Sequence, residues 1–365
     1  MKKILFPILI YVCFTALYAA ISYFNNNQNL FLPVWDVEHY LTISERGYEV
    51  FPCTPGVNGY AGEICGNSGW FPMWPIVVAA IRPFLGGSSP TTFIALSFLF
   101  SLLTFIFIFR LIEYQSGFKA GIFCLLAMAA NPSAFYWITG FPYALFGFLF
   151  ASYLLVLYRT ASIWRDIGLF AIGLALSLTY PTGPLVVVVP LVWYIYQNAG
   201  QQILINRTQY WLGLLKYIIP FILGPLLLAL YFYIQFDDFF LQLHFQEKYH
   251  RTWAIPFWIM LKSLFTRSPL IPENIAILWY GLIFIIFYPY RLKKELAILA
   301  IVLYLFSLTT GSTMSIFRHY LIIIPAYMII AVSTRPDWAK ILYFLLGLAA
   351  ALFIMFPRFL SYNLM

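Results

Sequence analysis

Long apolar runs follow one another along the chain, separated by short polar breaks, at about 4–24, 91–112, 119–138, 140–158, 165–180, 184–197, 211–235, 273–290, 295–312, 320–334 and 338–356. A helix that crosses a bilayer needs roughly 20 such residues. The pattern therefore predicts an all-α polytopic membrane protein with about eleven transmembrane helices, residues 1–365 forming a single transmembrane domain. Continuous runs exclude a β-barrel, whose strands read apolar and polar in alternation. The pair 165–180 and 184–197 is short, and Pro181, Pro184 and Pro190 crowd it. It reads as two spans or as one re-entrant hairpin, and the sidedness of everything else is the same either way. Met1-Lys2-Lys3 lead into a first run longer than the roughly 7–15 residues of a signal-peptide core, so this run is read as an uncleaved helix.

Two polar segments are too long to be turns. The first, 25–90, contains Trp35-Asp36-Val37-Glu38-His39-Tyr40, a Gly/Pro-rich stretch, and Trp70-Phe71-Pro72-Met73-Trp74-Pro75. Residues 76–85 are apolar but too few to span, and Arg82 interrupts them, which predicts a helix lying in the membrane interface. The second segment, 236–272, is also amphipathic and rich in Trp and basic residues.

Composition agrees. Hydrophobic residues make up 62% of the chain and mean hydropathy is +0.85, against about 45–50% apolar residues in soluble proteins. The formal charge of +8 is scattered through short loops, so it reads as membrane orientation and not as a nucleic-acid surface. With Lys2 and Lys3 cytoplasmic, alternation puts Arg110/Lys119, Arg159/Arg165, Arg207/Lys216, Arg291/Lys293/Lys294 and Arg335/Lys340 on the same side. Both long segments then face outward. No cytoplasmic loop is large enough for a soluble domain, and no nucleotide-binding glycine pattern or G-x-S-x-G elbow occurs. Any activity is expected at the outer face or within the membrane.

Of the four cysteines, Cys13 and Cys124 lie inside apolar runs and read as buried hydrophobes. Cys53 and Cys65 flank an outer loop that an oxidising compartment would let them staple. Closing a loop of that length contributes about 3 kcal/mol.

Only 9% of residues are charged, yet Asp36, Glu38, His39 and Tyr40 gather just past the first run. Charge at a bilayer is costly and marks function by default. On a helix starting near Val37, positions 36, 39, 40 and 43 share a face, so Asp36, His39 and Tyr40 converge while Glu38 points elsewhere. The competing reading makes Asp36 a helix N-cap and Gly47 the matching C-cap. It leaves the imidazole and the second carboxylate unexplained. Asp36 and Glu38 together form a D-x-E pair that could bind a divalent cation; no other metal set is read, since His244 and His250 lack ligand spacing with any cysteine. Asp237-Asp238 read as a water-boundary mark at a helix end.

Trp35-Asp36-x-x-His39-Tyr40, then Gly47-Tyr48, then Phe71-Pro72-x-x-Pro75, resembles the opening of the PIG-V family of mannosyltransferases, within the GT-C superfamily of lipid-phosphate-sugar-dependent glycosyltransferases. Asn131-Pro132-Ser133-Ala134-Phe135-Tyr136 is similar to that family's Asn-Pro-Ala-x-x-Phe segment, Gln246 to Trp253 to its Gln-containing outer loop, and Ser315-Ile316-Phe317-Arg318-His319-Tyr320 to its late Ser-x-x-Arg motif. The chain departs from the family at Gly140-Phe141-Pro142-Tyr143, which has no acid, and at Thr179-Tyr180-Pro181-Thr182-Gly183, which has no arginine.

The resemblance implies a GT-C-like bundle and an inverting hexosyltransferase, mannose being one candidate sugar. The donor would be a polyprenyl- or dolichyl-phosphate sugar and the acceptor a membrane lipid or glycan. Asp36 would be the general base, with Glu38 and His39 beside it. Arg318, helped by His319, would meet the donor phosphate, because a guanidinium can take phosphate oxygens in pairs. Arg251, with Lys248 and His250 nearby, is the second candidate for the phosphate. Gln246 and Tyr40 would contact substrate. The outer face of a bacterial plasma membrane is the expected location, ahead of the endoplasmic reticulum. Two rival readings are a transporter or lipid flippase, and a polysaccharide polymerase or ligase. The chain shows no convincing internal repeat of the kind transporters carry, and its large outer loop comes early, where polymerases place theirs late.

Overall fold

A computed structural model describes residues 2–361 other than 26, 28, 33, 55–61, 200–206, 248, 250, 252, 269, 270 and 289. In chain order the helices and strands are α1 (Lys2–Phe24), α2 (Asp36–Arg46), β1 (Val50–Pro52), β2 (Ile64–Gly66), α3 (Met73–Leu85), α4 (Ser89–Ser116), α5 (Phe118–Ala129) and α6 (Tyr143–Leu157). There follow α7 (Ile163–Ser177), α8 (Val188–Asn198), α9 (Arg207–Phe236), α10 (Leu241–Glu247), α11 (Pro256–Thr266) and α12 (Pro272–Ile286). The last are α13 (Lys294–Phe306), α14 (Ile316–His319), α15 (Ile324–Val332), α16 (Asp337–Ala350) and α17 (Phe356–Leu360).

Among the described residues four helices are long and apolar enough to cross a membrane: Ile4–Phe24, Ser89–Ser116, Thr208–Phe236 and Asp337–Leu360. This corrects the expectation of eleven. The other runs are apolar enough in composition, but the chain breaks them. The run 119–138 stops as α5 at Ala129, where Asn131-Pro132 leads into a 3-10 turn, Ala134–Trp137. The pair 165–180 and 184–197 becomes the 15-residue α7, a 3-10 turn at Gly183–Val187 and the 11-residue α8. The late run 320–334 keeps only 9 residues of α-helix, in α15. The interfacial stretch expected at 76–85 begins earlier, as α3.

The chain divides into two compact units. The first comprises Met1–Pro33, Ile94–Ala151 and Thr252–Met365. Here α15 packs against α5, α12 and α13, and its residues from Ile324 to Ala331 are buried. Polar groups sealed in this core find each other, as buried polar groups must. Asn131 Nδ2 donates to the Tyr280 hydroxyl at 2.9 Å, Tyr280 and Tyr327 share a hydrogen bond of 2.6 Å, and Tyr327 donates to the Leu321 carbonyl at 2.9 Å. The Asn131 Oδ1 accepts from the Ser133 amide at 2.8 Å. The Asn-Pro segment is thus a buried joint of this unit, with Asn131 only 1% exposed.

The second unit comprises Val34–Phe93 and Ser152–Arg251. Its spine is the packing of α7 on α9, made close by small residues. A Cβ at Gly173 would sit 3.2 Å from the Phe221 ring, and one at Gly224 would clash with Ser177 Oγ. That hydroxyl donates to the Pro220 carbonyl at 3.2 Å. At the end of this spine Phe71, Leu228, Phe232 and Leu241 form a buried cluster, with Tyr48, Val50, Ile64, Leu178 and Phe236 packed around it. Burying a Phe or Leu side chain contributes about 1.5–3 kcal/mol. This cluster therefore anchors the β1–β2 hairpin and α10 onto α9.

Candidate active site

Every third position of α2 faces the protein: Val37, Tyr40 and Ile43 are buried, the stripe that stabilises a short amphipathic helix. Gly47, at φ 84°, closes it by donating its N–H to the Ile43 carbonyl at 3.0 Å, as the sequence pattern predicts. The start differs from the capping expectation. Asp36 lies inside the first turn, and the cap position falls on Trp35, whose side chain makes no capping bond. The Val37 and Glu38 amides are taken by the Val34 and Trp35 carbonyls at 3.2 and 3.1 Å. A carboxylate in the first turn also complements the positive end of the helix.

Trp35 adopts φ 52° and ψ −122°, a region that a residue with a Cβ rarely enters. Only two other non-glycine residues among those described have positive φ, Asp237 and Ser315. Two of the three thus introduce the Asp36 and Arg318 motifs. Strain of this kind costs on the order of 1–3 kcal/mol per residue and gathers at functional positions. Nothing in the sequence, which carries no glycine at either place, signals it.

Asp36 and His39 are half-buried on the Ile43 side of α2, whereas Glu38 is exposed and, two residues on, lies on the far side of the helix. Among the described residues no group of three or more His, Cys, Asp or Glu side chains could hold a metal ion. Tyr40 is 3% exposed and packs inside the unit.

The imidazole of His39 stacks on the indole of Trp70, a partner that sequence reasoning did not identify. Trp70 is held in turn. Its carbonyl accepts from the Tyr48 hydroxyl at 2.7 Å, and its ring meets the edge of Phe245 at 5.5 Å. Burial, reinforced by the neighbouring Tyr231, pushes the Tyr48 phenol well above its ordinary pKa, so it stays a donor. Gly69 admits α10: a Cβ there would fall 2.6 Å from Phe245 and 3.0 Å from Gln246 Nε2. Gln246 therefore lies beside Gly69-Trp70, and its Oε1 is buried with no hydrogen-bond partner among the described residues.

The hairpin behind this group is fastened twice. Cys53 and Cys65 form a disulfide. Asn67, 2% exposed, accepts the Glu49 amide at 2.8 Å and donates to the Gly47 carbonyl at 3.2 Å, fixing the exit of α2. At α10, Asp238 caps the helix through the Phe240 amide at 2.9 Å and pairs with His244 Nδ1 at 2.7 Å, so both are structural. Arg251 is half-buried, its guanidinium 6.0 Å from the Tyr249 ring. Lys248 and His250 lie outside the described residues.

In the first unit Arg318 sits on the one-turn helix α14, which starts from Ser315 at φ 61°. Its Nη2 donates to Ser315 Oγ at 2.8 Å, and its guanidinium lies 5.5 Å from the Phe141 ring. Phe141 is stacked on Tyr143 at 5.5 Å. The segment from Gly140 to Tyr143 thus supplies an aromatic face to the arginine, a cation–π contact. His319 is half-buried beside it in the chain.

No protein-family model matches the chain, and no curated protein sequence does. Solved structures do. ArnT from Cupriavidus metallidurans, bound to undecaprenyl phosphate, is 16% identical with a TM-score of 0.50, over 91% of this chain and 62% of that one. The oligosaccharyltransferase of Archaeoglobus fulgidus, complexed with zinc and sulfate, is 13% identical with a TM-score of 0.43, over 89% and 48%. The chain therefore spans less than two thirds of the length of either. The likeness to ArnT shows the fold alone: an all-α, largely membrane-embedded helical bundle similar to that protein's.

Proposed function

We propose that the protein is a GT-C-type glycosyltransferase that moves a hexose from a polyprenyl- or dolichyl-phosphate donor to a lipid or glycan acceptor at the outer face of a bacterial plasma membrane. The observation that carries this reading is Asp36, half-buried at the head of α2 on the same side as His39, whose ring is fixed by Trp70. A fold shared with a protein that binds undecaprenyl phosphate supports it.

In this reading Asp36 is the base. Its carboxylate takes the proton of the acceptor hydroxyl as that oxygen bonds to the anomeric carbon. The bond from that carbon to the phosphate oxygen breaks on the opposite face, its electron pair leaves with the lipid phosphate, and the configuration inverts. Such a base needs direct hydrogen-bond reach to the hydroxyl. His39 is a positioning residue, since its face is occupied by Trp70, and Glu38 has no part in the step. Gln246 Oε1 takes a sugar hydroxyl and so gains the partner it lacks. Arg318 is a ligand of the donor phosphate on its own chemistry: a guanidinium is a fork that matches phosphate oxygens, and Ser315 holds it in place. The block from Trp35 to Tyr40 makes mannose the first sugar to test.

The test is turnover by the purified full chain with polyprenyl-phosphate-linked sugars and membrane acceptors. Transfer of label to acceptor, with one lipid phosphate released per sugar moved, is expected. Failure of every lipid-phosphate sugar, with nucleotide sugars or lipid translocation succeeding instead, overturns the reading. Labelling of a cysteine placed at Glu38 from the cytoplasmic side alone would overturn the orientation.

A further inference from the structure

Within the first unit, a cavity of about 450 Å³ that includes neither Asp36 nor Arg318 in its lining is lined by Lys119, Arg291, Arg335 and Lys340, with Asp337 the only carboxylate. Its volume is that of a small-ligand site, which typically runs about 300–1,000 Å³. Lys119 pairs with Asp337. Lys340 is 5% exposed and held rigidly, its ammonium donating to the Ala331 and Ser333 carbonyls at 3.2 and 3.1 Å. An ammonium has three donors, so one is left over. Arg335 spends its Nε on the Ile286 carbonyl at 2.6 Å. Among the described residues neither Arg291 nor Arg335 pairs with a carboxylate. The Phe123 ring adds an apolar wall, with the ammonium of Lys340 5.0 Å from its centre.

Like charges brought to one cavity repel, and this one holds four cations against the single carboxylate of Asp337, an excess of three positive charges. We propose that the cavity binds a phosphate group, carried by an acidic phospholipid or by a soluble phosphate. Guanidinium forks and a fixed ammonium suit phosphate oxygens. All four basic residues belong to loops and helix ends that the basic-residue pattern assigns to the cytoplasmic side. Basic pockets between membrane helices on that side take acidic lipid headgroups. The proposal stands whether or not the chain is a transferase.

The experiment uses the purified full chain and follows thermal unfolding and native mass spectrometry. The probes are phosphatidylglycerol, phosphatidylcholine and inorganic phosphate, each added separately. The test variant is Arg291→Gln with Arg335→Gln, both exposed positions whose change leaves the Lys340 hydrogen bonds intact. Lys294→Gln, an exposed charge outside the cavity, is the control. Preferential binding of phosphatidylglycerol over phosphatidylcholine, weakened about 30-fold in the double variant and unchanged in the control, is expected for a lipid source. Stabilisation by inorganic phosphate alone, lost in the same variant, identifies a soluble source. Equal binding of every probe by parent and double variant overturns the proposal.

Discussion

His39 and Trp70 lie face to face, with ring centroids 3.7 Å apart and planes 18° from parallel. The contact joins α2 to the segment that Gly69 lets α10 approach, so it fixes the helix that carries Asp36. Such a pair contributes about 0.5–1.5 kcal/mol beyond its buried area. Trp70→Ala should lower turnover about tenfold with unchanged donor affinity, and Trp70→Phe should restore most of it. Equal turnover by Trp70→Ala and the parent would mean that the stack does not position Asp36.

Asp36 and Glu38 separate cleanly by mutation. Loss of a general base costs about 10²–10⁴-fold in rate, so Asp36→Asn should fall into that range at unaltered thermal stability. Glu38→Gln, on the exposed side of α2, should keep at least half of the parent rate. Single-turnover kinetics with a labelled lipid-phosphate sugar reads both. A normal rate from well-folded Asp36→Asn protein removes it as the base.

Ser315 and Arg318 make a second pair to test. Ser315→Gly relieves a positive φ, a gain of about 1 kcal/mol, yet removes the hydroxyl that steadies the guanidinium. The variant should therefore melt no lower than the parent but bind polyprenyl phosphate several-fold more weakly. Arg318→Ala should weaken it further, and Arg318→Lys should recover only part, because a point charge cannot replace a fork. Polyprenyl phosphate competition against labelled donor measures the series.

The Cys53–Cys65 bridge closes the hairpin that Asn67 ties to the end of α2. Cys53→Ser with Cys65→Ser should cost about 3 kcal/mol of stability. A reducing agent should lower the melting midpoint of the parent and leave that of the double variant unmoved. Equal midpoints for parent and variant under oxidising conditions would show that the hairpin is secured without the bridge.

Periodicity made the long helices legible, because α1, α4 and α9 each fill an unbroken apolar run. It failed where single residues cut a run, as Asn131-Pro132 do after α5. The helix α2 was legible from the spacing of Val37, Tyr40 and Ile43 and from Gly47. Trp70 was not, since stacking on His39 follows from tertiary packing and leaves no local pattern. The same holds for Gln246, brought to Gly69 from a distant part of the chain, and for the backbone of Trp35 and Ser315, where no glycine announces the conformation.

An indole on a backbone angle better suited to glycine stays there only while its surroundings hold it. As the protein is warmed, the turn at Trp35 is the first place with something to gain by letting go, and Asp36 is the next residue. Heat should therefore silence the proposed transfer some degrees before the helices melt, and cooling from that interval should bring it back.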